Sequence, residues 1–358
     1  YAMRHCDWSS DVCSSDLQFE CHLGAGFIGC NLAAALMRKG HDVIIFDNLS
    51  RKGTVLNIKW LRTQGKFTLM RCDLRQFDDV KKAFRRAGRV DTVAHLAAQV
   101  AVTTSVADPR EDFDINALGT FNLLEAIRGS ASDPVVLFAS TNKVYGGMED
   151  IAITEKGGRY QYRDYPQGIS EDRLLDFHSP YGCSKGAADQ YVRDYARIYG
   201  MRTVVFRQSC IYGYRQFGVE DQGWVAWFII ASVLGRPVTV YGDGKQVRDV
   251  LFIDDLVNAY MAAERKIKKT TGRVYNIGGG ADNQMSLIEL IAFLEEQLGR
   301  RLDYSFADWR PGDQPVFVCD VAKAHKEFGW KPRTSVPRGV KKLYDWIANN
   351  KKLFEKIF

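Results

Sequence analysis

Tyr181 and Lys185 stand four residues apart in the run Pro180-Tyr181-Gly182-Cys183-Ser184-Lys185. On a helix that spacing puts a phenol and an ammonium on one face, where both can meet one ligand. With an ordinary pKa near 10, a tyrosine is a poor base at neutral pH, but a neighbouring ammonium stabilises its phenolate. Plain surface helices carry the same spacing, so the pair needs company before it means catalysis. The run 140–146, Ser-Thr-Asn-Lys-Val-Tyr-Gly, follows the apolar stretch 135–139. It delivers the Thr141 hydroxyl to the carboxyl end of an expected strand, where parallel sheets build their sites.

A third group of residues would hold a cofactor. Gly24-x-Gly26-x-x-Gly29 opens a helical stretch over 31–39, and the strand that follows ends in Asp47. Glycines there let the backbone approach a pyrophosphate at a helix N-terminus, and a carboxylate about twenty residues on grips the ribose hydroxyls. Alone, the glycines fit a tight turn equally well; with Asp47 they point to a dinucleotide. The acid favours NAD over NADP, because a 2′-phosphate would meet like charge, whereas Arg51 and Lys52 close behind pull the other way.

The elements that must position these groups are legible as short apolar runs at 42–46, 92–96, 135–139 and 203–206, separated by helical stretches. Such alternation predicts an α/β fold, a Rossmann-type doubly wound parallel sheet covered on both faces. After about residue 207 the pattern loosens into aromatic-rich loops, a Gly-Asp-Gly turn and amphipathic stretches at 286–298 and 339–349. These predict a smaller, discontinuous substrate-binding domain. The expected division is 18–207 for the cofactor, with a returning segment near 240–262, and 208–358 mainly for the substrate.

Composition excludes several classes of function. The 358 residues are 46% apolar and 26% charged, with a formal charge of +6 spread without an extended basic run, which fits solvated faces rather than nucleic-acid binding. Eight cysteines form no C-x-x-C pair, so neither a disulfide framework nor a metal site is expected, and a cytoplasmic setting fits. No apolar run approaches the roughly 18 residues of a membrane helix.

Taken together, the motifs resemble those of the extended short-chain dehydrogenase/reductases that act on nucleotide sugars. The resemblance runs from about residue 24 to 346. It is carried by the glycine motif, Asp73-Leu74-Arg75, His95-Leu96-Ala97-Ala98-Gln99, Tyr181 with Lys185, Arg248-Asp249-Val250, Tyr275-Asn276-Ile277-Gly278 and Arg310-Pro311-Gly312-Asp313. It implies catalysis by Thr141, Tyr181 and Lys185. It implies NAD held by Gly24, Gly26, Phe27, Ile28, Gly29, Asp47, Asn48, Ser50, Arg51, Asp73, Leu74, Ala97, Ala98, Gln99 and Asn116, together with Tyr181 and Lys185. Asn142, Arg215, Gln216, Arg248 and Arg310 are implied for a nucleotide-sugar substrate, and a dimer or tetramer for the assembly.

Within that family, 4,6-dehydratases carry Thr-Asp-Glu where this chain has Thr141-Asn142-Lys143. An amide is no proton donor of tunable pKa, so elimination lacks its acid and base. The runs 140–145, 176–190 and 221–224 resemble most the family's CDP-sugar 2-epimerases. The implied reaction is a hidden redox cycle in which C2 is oxidised, the 2-keto sugar turns over, and the same carbon is reduced from its other face. A 4-epimerase, or a binding protein with a failed cofactor pocket, remains an alternative.

Three departures from the family stand out. Cys210 occupies a position where many relatives place an asparagine against the diphosphate, and Tyr214 one where they place Pro or Gly. Residues 1–17 resemble a translated sequencing adapter and are expected to be foreign. Next to them, Glu20 and His22 would burden a strand buried on both faces, and Leu23 fills the place of the family's first glycine, so the cofactor site is expected to be damaged.

Overall fold

A computed structural model of the chain describes residues 21–22, 24–51, 53–310 and 312–357. The segment 1–17, with Glu20, Leu23 and Lys52, lies outside the described residues, and so does the side-chain argument about the first strand.

The apolar runs form one seven-stranded sheet in the order Arg273–Ile277, Thr203–Gln208, Val135–Thr141, Thr92–His95, Cys21–His22, Val43–Asp47, Thr68–Arg71. Every neighbouring pair is parallel. From Cys21–His22 the chain winds outward through Val43–Asp47 to Thr68–Arg71, then crosses back to Thr92–His95 and winds the other way. The carboxyl ends of those two central strands therefore flank the crevice that such topologies leave open.

Alternation along one strand shows how both faces are buried. Val135 and Leu137 join a core with Leu32 and Leu36 of helix Phe27–Arg38 and with Leu256 and Tyr260 of helix Ile253–Arg265. Val136 and Phe138 join the opposite core, with Phe84, Leu124 and Val192. Period-two side chains on a doubly covered sheet need this near-continuous apolar run.

The chain's return to the sheet reaches further than the expected 240–262. Helix Ile253–Arg265 is followed by the strand Arg273–Ile277, which pairs along the whole of Thr203–Gln208. Without it, a strand buried at every position would be left as an open edge. The remaining elements build a smaller layer around Val247–Phe252, which pairs with Cys210–Tyr212, Gln284–Ser286 and Val316–Phe317. Tyr145, just past the strand Val135–Thr141, packs into that layer with Ile169 and Phe317.

Helix Ser179–Tyr199 carries the expected catalytic pair. Pro180 sits in its first turn and Gly200, at φ 67°, ends it, the usual asymmetry of helix termini. Its register against the sheet is fixed by Asp189. The Asp189 carboxylate takes Arg207 Nε and Nη2 at 3.0 and 3.1 Å and the Ser140 hydroxyl at 2.8 Å. Arg207 also donates to Tyr145 Oη at 3.2 Å. Both partners are almost wholly out of water, which a charge pair tolerates only when its hydrogen bonds are complete. Arg207→Ala should therefore cost about 3–5 kcal/mol by stranding a buried carboxylate. Urea denaturation will show the loss as a lowered midpoint, and an unchanged midpoint would remove the pair from the stability argument.

Candidate active site

The glycine loop leads straight into a helix. Helix Phe27–Arg38 starts directly after Gly26, with no side-chain cap and no acidic residue in its first turn, so its leading N–H groups are free to meet an anion. A Cβ at Gly24 would lie 3.5 Å from the Ala97 backbone, whereas one at Gly26 would meet nothing within 4 Å. A side chain at position 24 would thus meet the neighbouring strand end at ordinary contact distance, and Gly26 leaves room for phosphate oxygens.

Asp47 closes the other side of this cavity of about 150 Å³, which Gly24, Gly26, Asn48, Ser50, Arg51, Asp73, Leu74, Ala97 and Ala98 also line. Its Oδ2 accepts the Ala25 N–H at 2.7 Å and its Oδ1 the Leu49 N–H at 2.6 Å. Burial pushes this carboxyl above the usual range, and those two N–H bonds pull it back. Asn48 Nδ2 donates to Asp73 at 3.2 Å and its Oδ1 accepts the Ser50 hydroxyl at 2.7 Å. Arg75, absent from the expected set, clamps Asp73 with Nε at 3.0 Å and Nη2 at 2.7 Å and holds its carboxyl low. Its place in the Asp-Leu-Arg motif was the available signal. Phe27, Ile28 and Gly29 line an adjoining cavity of about 120 Å³.

Gln99 and Asn116 do not line either cavity. The Gln99 amide folds back onto the Ala101 backbone, and Asn116 exchanges two 3.1 Å hydrogen bonds with the backbone of Gln99. The Gln99 side chain is held by backbone, and Asn116 also donates to Asp112 at 3.0 Å, so both brace this stretch after the strand.

A third cavity, of about 380 Å³, brings together Thr141, Asn142, Lys143, Tyr181, Cys210, Gln216, Arg248 and Arg310. The Thr141 hydroxyl stands beside Tyr181 and favours its phenolate, but burial dominates and pushes the phenol up to about 12. Lys185 lies behind the cavity wall. Its Nζ donates to the Ala139 carbonyl at 2.5 Å and sits 4.3 Å over the Phe138 ring. Burial brings its pKa down to about 7, against the pull of Asp189 and Asp112.

The far side of this cavity brings Lys143, Arg248 and Arg310 together with the carboxylates of Glu220, Asp221 and Asp313. Lys143 Nζ donates to the Gly312 carbonyl at 3.3 Å, and burial together with Arg248 lowers it to about 8. Arg248 donates to the Val247 carbonyl at 2.9 Å, and Arg310 lies 3.7 Å over the Tyr241 ring and 3.3 Å from Asp221. Guanidinium forks in such a wall suit a diphosphate. Tyr241 and Asp313, also in the wall, were missed. The first precedes the Gly-Asp-Gly turn and the second ends the Arg-Pro-Gly-Asp motif, so both had a sequence mark.

Arg215 is not part of that wall. Its guanidinium donates to the Leu56 carbonyl at 3.1 Å and lies between the rings of Trp60 and Trp346, at 4.8 and 5.8 Å. It faces the small cavity beside the glycine loop instead, because the backbone turn at φ 65° swings it inward. Gln216, next along, reaches both cavities. Tyr214 packs edge-on against Phe252 and Trp346 while its carbonyl accepts Asn31 Nδ2 at 2.9 Å. Its ring serves the core. Cys210 offers the cavity a thiol raised by burial. Among the described residues no cluster of side chains could ligate a metal.

Comparison with known proteins agrees with this geometry. The family model for GDP-mannose 4,6-dehydratase matches residues 24–343. The CDP-paratose 2-epimerase of Salmonella typhi is 46% identical over 331 residues, 91% of this chain and 98% of that protein. A putative UDP-glucose 4-epimerase of Methanocaldococcus jannaschii is 32% identical, over 91% of this chain and 97% of that protein. Among solved structures, the UDP-glucuronic acid 4-epimerase of Bacillus cereus, in complex with UDP-glucuronic acid and NAD, superposes with a TM-score of 0.78 at 28% identity, covering 94% of this chain and 100% of that one.

His95 gives this region a pH dependence. Its Nε2 lies 2.8 Å from the Thr120 hydroxyl, and burial lowers its pKa to about 3. The folded state thus takes up no proton where the unfolded histidine does, so stability should fall as pH drops from about 6.5. The slope approaches about 1.4 kcal/mol per pH unit below that point. Denaturation midpoints between pH 7 and 5 should fall more steeply in the natural chain than in His95→Gln; parallel curves would contradict the assignment.

Proposed function

The chain belongs to the family of nucleotide-sugar epimerases and dehydratases that the GDP-mannose 4,6-dehydratase model describes, and on that footing we propose that it inverts C2 of CDP-paratose to give CDP-tyvelose. One observation favours inversion over elimination: Thr141 and Tyr181 share a cavity wall with Asn142 and Lys143. The wall therefore has an oxidation site without the adjacent acid pair that elimination requires. The 46% identity to a CDP-paratose 2-epimerase supports the same reading.

NAD, bound between the glycine loop and Asp47, supplies the hydride acceptor and donor of a redox-neutral inversion. Tyr181, as phenolate, takes the proton of the sugar C2 hydroxyl, and the Thr141 hydroxyl bonds the same oxygen. Lys185, one turn along the helix, favours the phenolate by its charge, and would help hold the nicotinamide ribose when NAD is bound. Arg248 and Arg310 hold the diphosphate, so the sugar can turn its other face while its anchor stays fixed. Tyr181 then returns the proton to the C2 oxygen.

The seven-stranded sheet is the cofactor half in this reading, and the layer around Val247–Phe252 the sugar-nucleotide half. The described residues hold no helix long and apolar enough to cross a membrane, and a cytoplasmic setting suits a soluble sugar nucleotide. Phe121, Tyr191, Ile198 and Tyr199 leave an exposed apolar strip on helices Gly119–Arg128 and Ser179–Tyr199. A second copy of the chain is the natural cover for it.

Two experiments test the reaction. Incubated with CDP-paratose, the protein should yield CDP-tyvelose by NMR, and Tyr181→Phe should lower turnover by roughly 10²–10⁴-fold, the range for loss of a general base, with substrate affinity nearly unchanged. With CDP-glucose it should form no 4-keto-6-deoxy sugar. Inversion at C4 alone, or appearance of the keto sugar, would overturn the assignment.

A further inference from the structure

We infer that Asp112 is a positioning residue, its buried carboxylate serving as the counter-ion that keeps Lys185 an ammonium beside Tyr181. The inference rests on the roles proposed for those two residues. Asp112 lies in the short helix Pro109–Phe113, which runs directly into the π-helical turn Asp114–Leu118. It is completely buried, and a carboxylate so placed requires a compensating charge or full hydrogen bonding. Neither comes from its own segment. Its Oδ1 accepts Asn116 Nδ2 at 3.0 Å. Its Oδ2 has no hydrogen-bond partner of good geometry, although the Ser184 hydroxyl stands beside it. Among the described residues no arginine or lysine closes an ion pair on it, whereas the other buried carboxylate near Lys185, Asp189, is spent on Arg207.

The facing groups can be named from every side. Helix Ser179–Tyr199 presents Tyr181, Ser184 and Lys185 to Asp112, and the π-helical turn presents Asn116. Around Lys185 stand Asp189 on its own helix, neutral His95 on the strand Thr92–His95, and the Ala139 carbonyl. Arg51 and Thr141 face Tyr181. Asp189 exerts the larger pull on Lys185 while it is also bonded to Arg207, and Asp112 adds an anionic charge that pairs with no guanidinium. Asn116 ties that carboxylate to the Gln99 backbone at the end of a central strand, so the counter-ion is anchored to the cofactor crevice rather than to the helix it serves.

Removing the charge while keeping the shape separates this role from packing. Loss of an anion lowers the pKa of both a nearby phenol and a nearby ammonium. In Asp112→Asn, both limbs of the kcat/KM profile should therefore move to lower pH, by on the order of one unit. In Asp112→Glu, which keeps the charge, they should stay closer to their original positions. The same substitution should lower the midpoint of the Tyr181 tyrosinate difference spectrum, read against Tyr181→Phe without cofactor or substrate. Where Asp112→Asn does not fold, Asp112→Ser, which also removes the charge, should lower the midpoint in the same direction. Limbs and midpoint that stay in place while the plateau falls would overturn the inference. A shifted midpoint in a chain without turnover supports the coupling and overturns only the reaction.

Discussion

The buried pair between Asp189 and Arg207 is the joint on which the rest of the architecture turns. It binds the helix that carries Tyr181 and Lys185 to the strand Thr203–Gln208, while the same carboxylate takes the Ser140 hydroxyl one residue before Thr141. Three sequence-distant segments are thereby held in one register, and the register decides whether a hydroxyl, a phenol and an ammonium can address one carbon. An ion pair in such a place contributes little net stability over an apolar substitute. Its use here is geometric, since the bidentate fork tolerates only one alignment of helix and strand.

Around that joint the charges are graded by depth. Lys185 lies behind the wall and is drawn toward neutrality, Lys143 lies in the wall and is lowered less, and the guanidiniums of Arg248 and Arg310 stand in the wall beside it. Desolvation makes the deep ammonium responsive to every neighbouring charge, while guanidiniums keep theirs regardless. The grading divides the labour between a tunable centre, where a proton must move, and a fixed grip, where an anion must only be held.

Much of this was legible in the sequence because backbone chemistry leaves local marks. The glycine spacing, the acid ending the next strand, and the apolar runs that became Val43–Asp47, Thr92–His95, Val135–Thr141 and Thr203–Gln208 all follow from periodicity and steric need. What escaped was set by long-range packing. Arg215 is implied for the substrate by resemblance, yet two indole rings and a carbonyl claim it. Tyr214 stands out in sequence only as a departure from the family, and its ring closes on Phe252 and Trp346. The closing strand Arg273–Ile277 went unplaced because its partner lies some seventy residues earlier, beyond any local pattern. Asp112 had no motif at all; its meaning exists only where two helices meet.

Asp47 has an evolutionary corollary. Both of its carboxylate oxygens hold backbone, one in the glycine loop and one in the turn after its own strand. A lineage that drifted toward the phosphorylated coenzyme by discarding this acid would at the same step unfasten the loop that receives the pyrophosphate. Coenzyme preference and loop geometry are thus inherited as one trait, and a switch would have to pass through a variant impaired in both, or begin by supplying Ala25 and Leu49 with other acceptors.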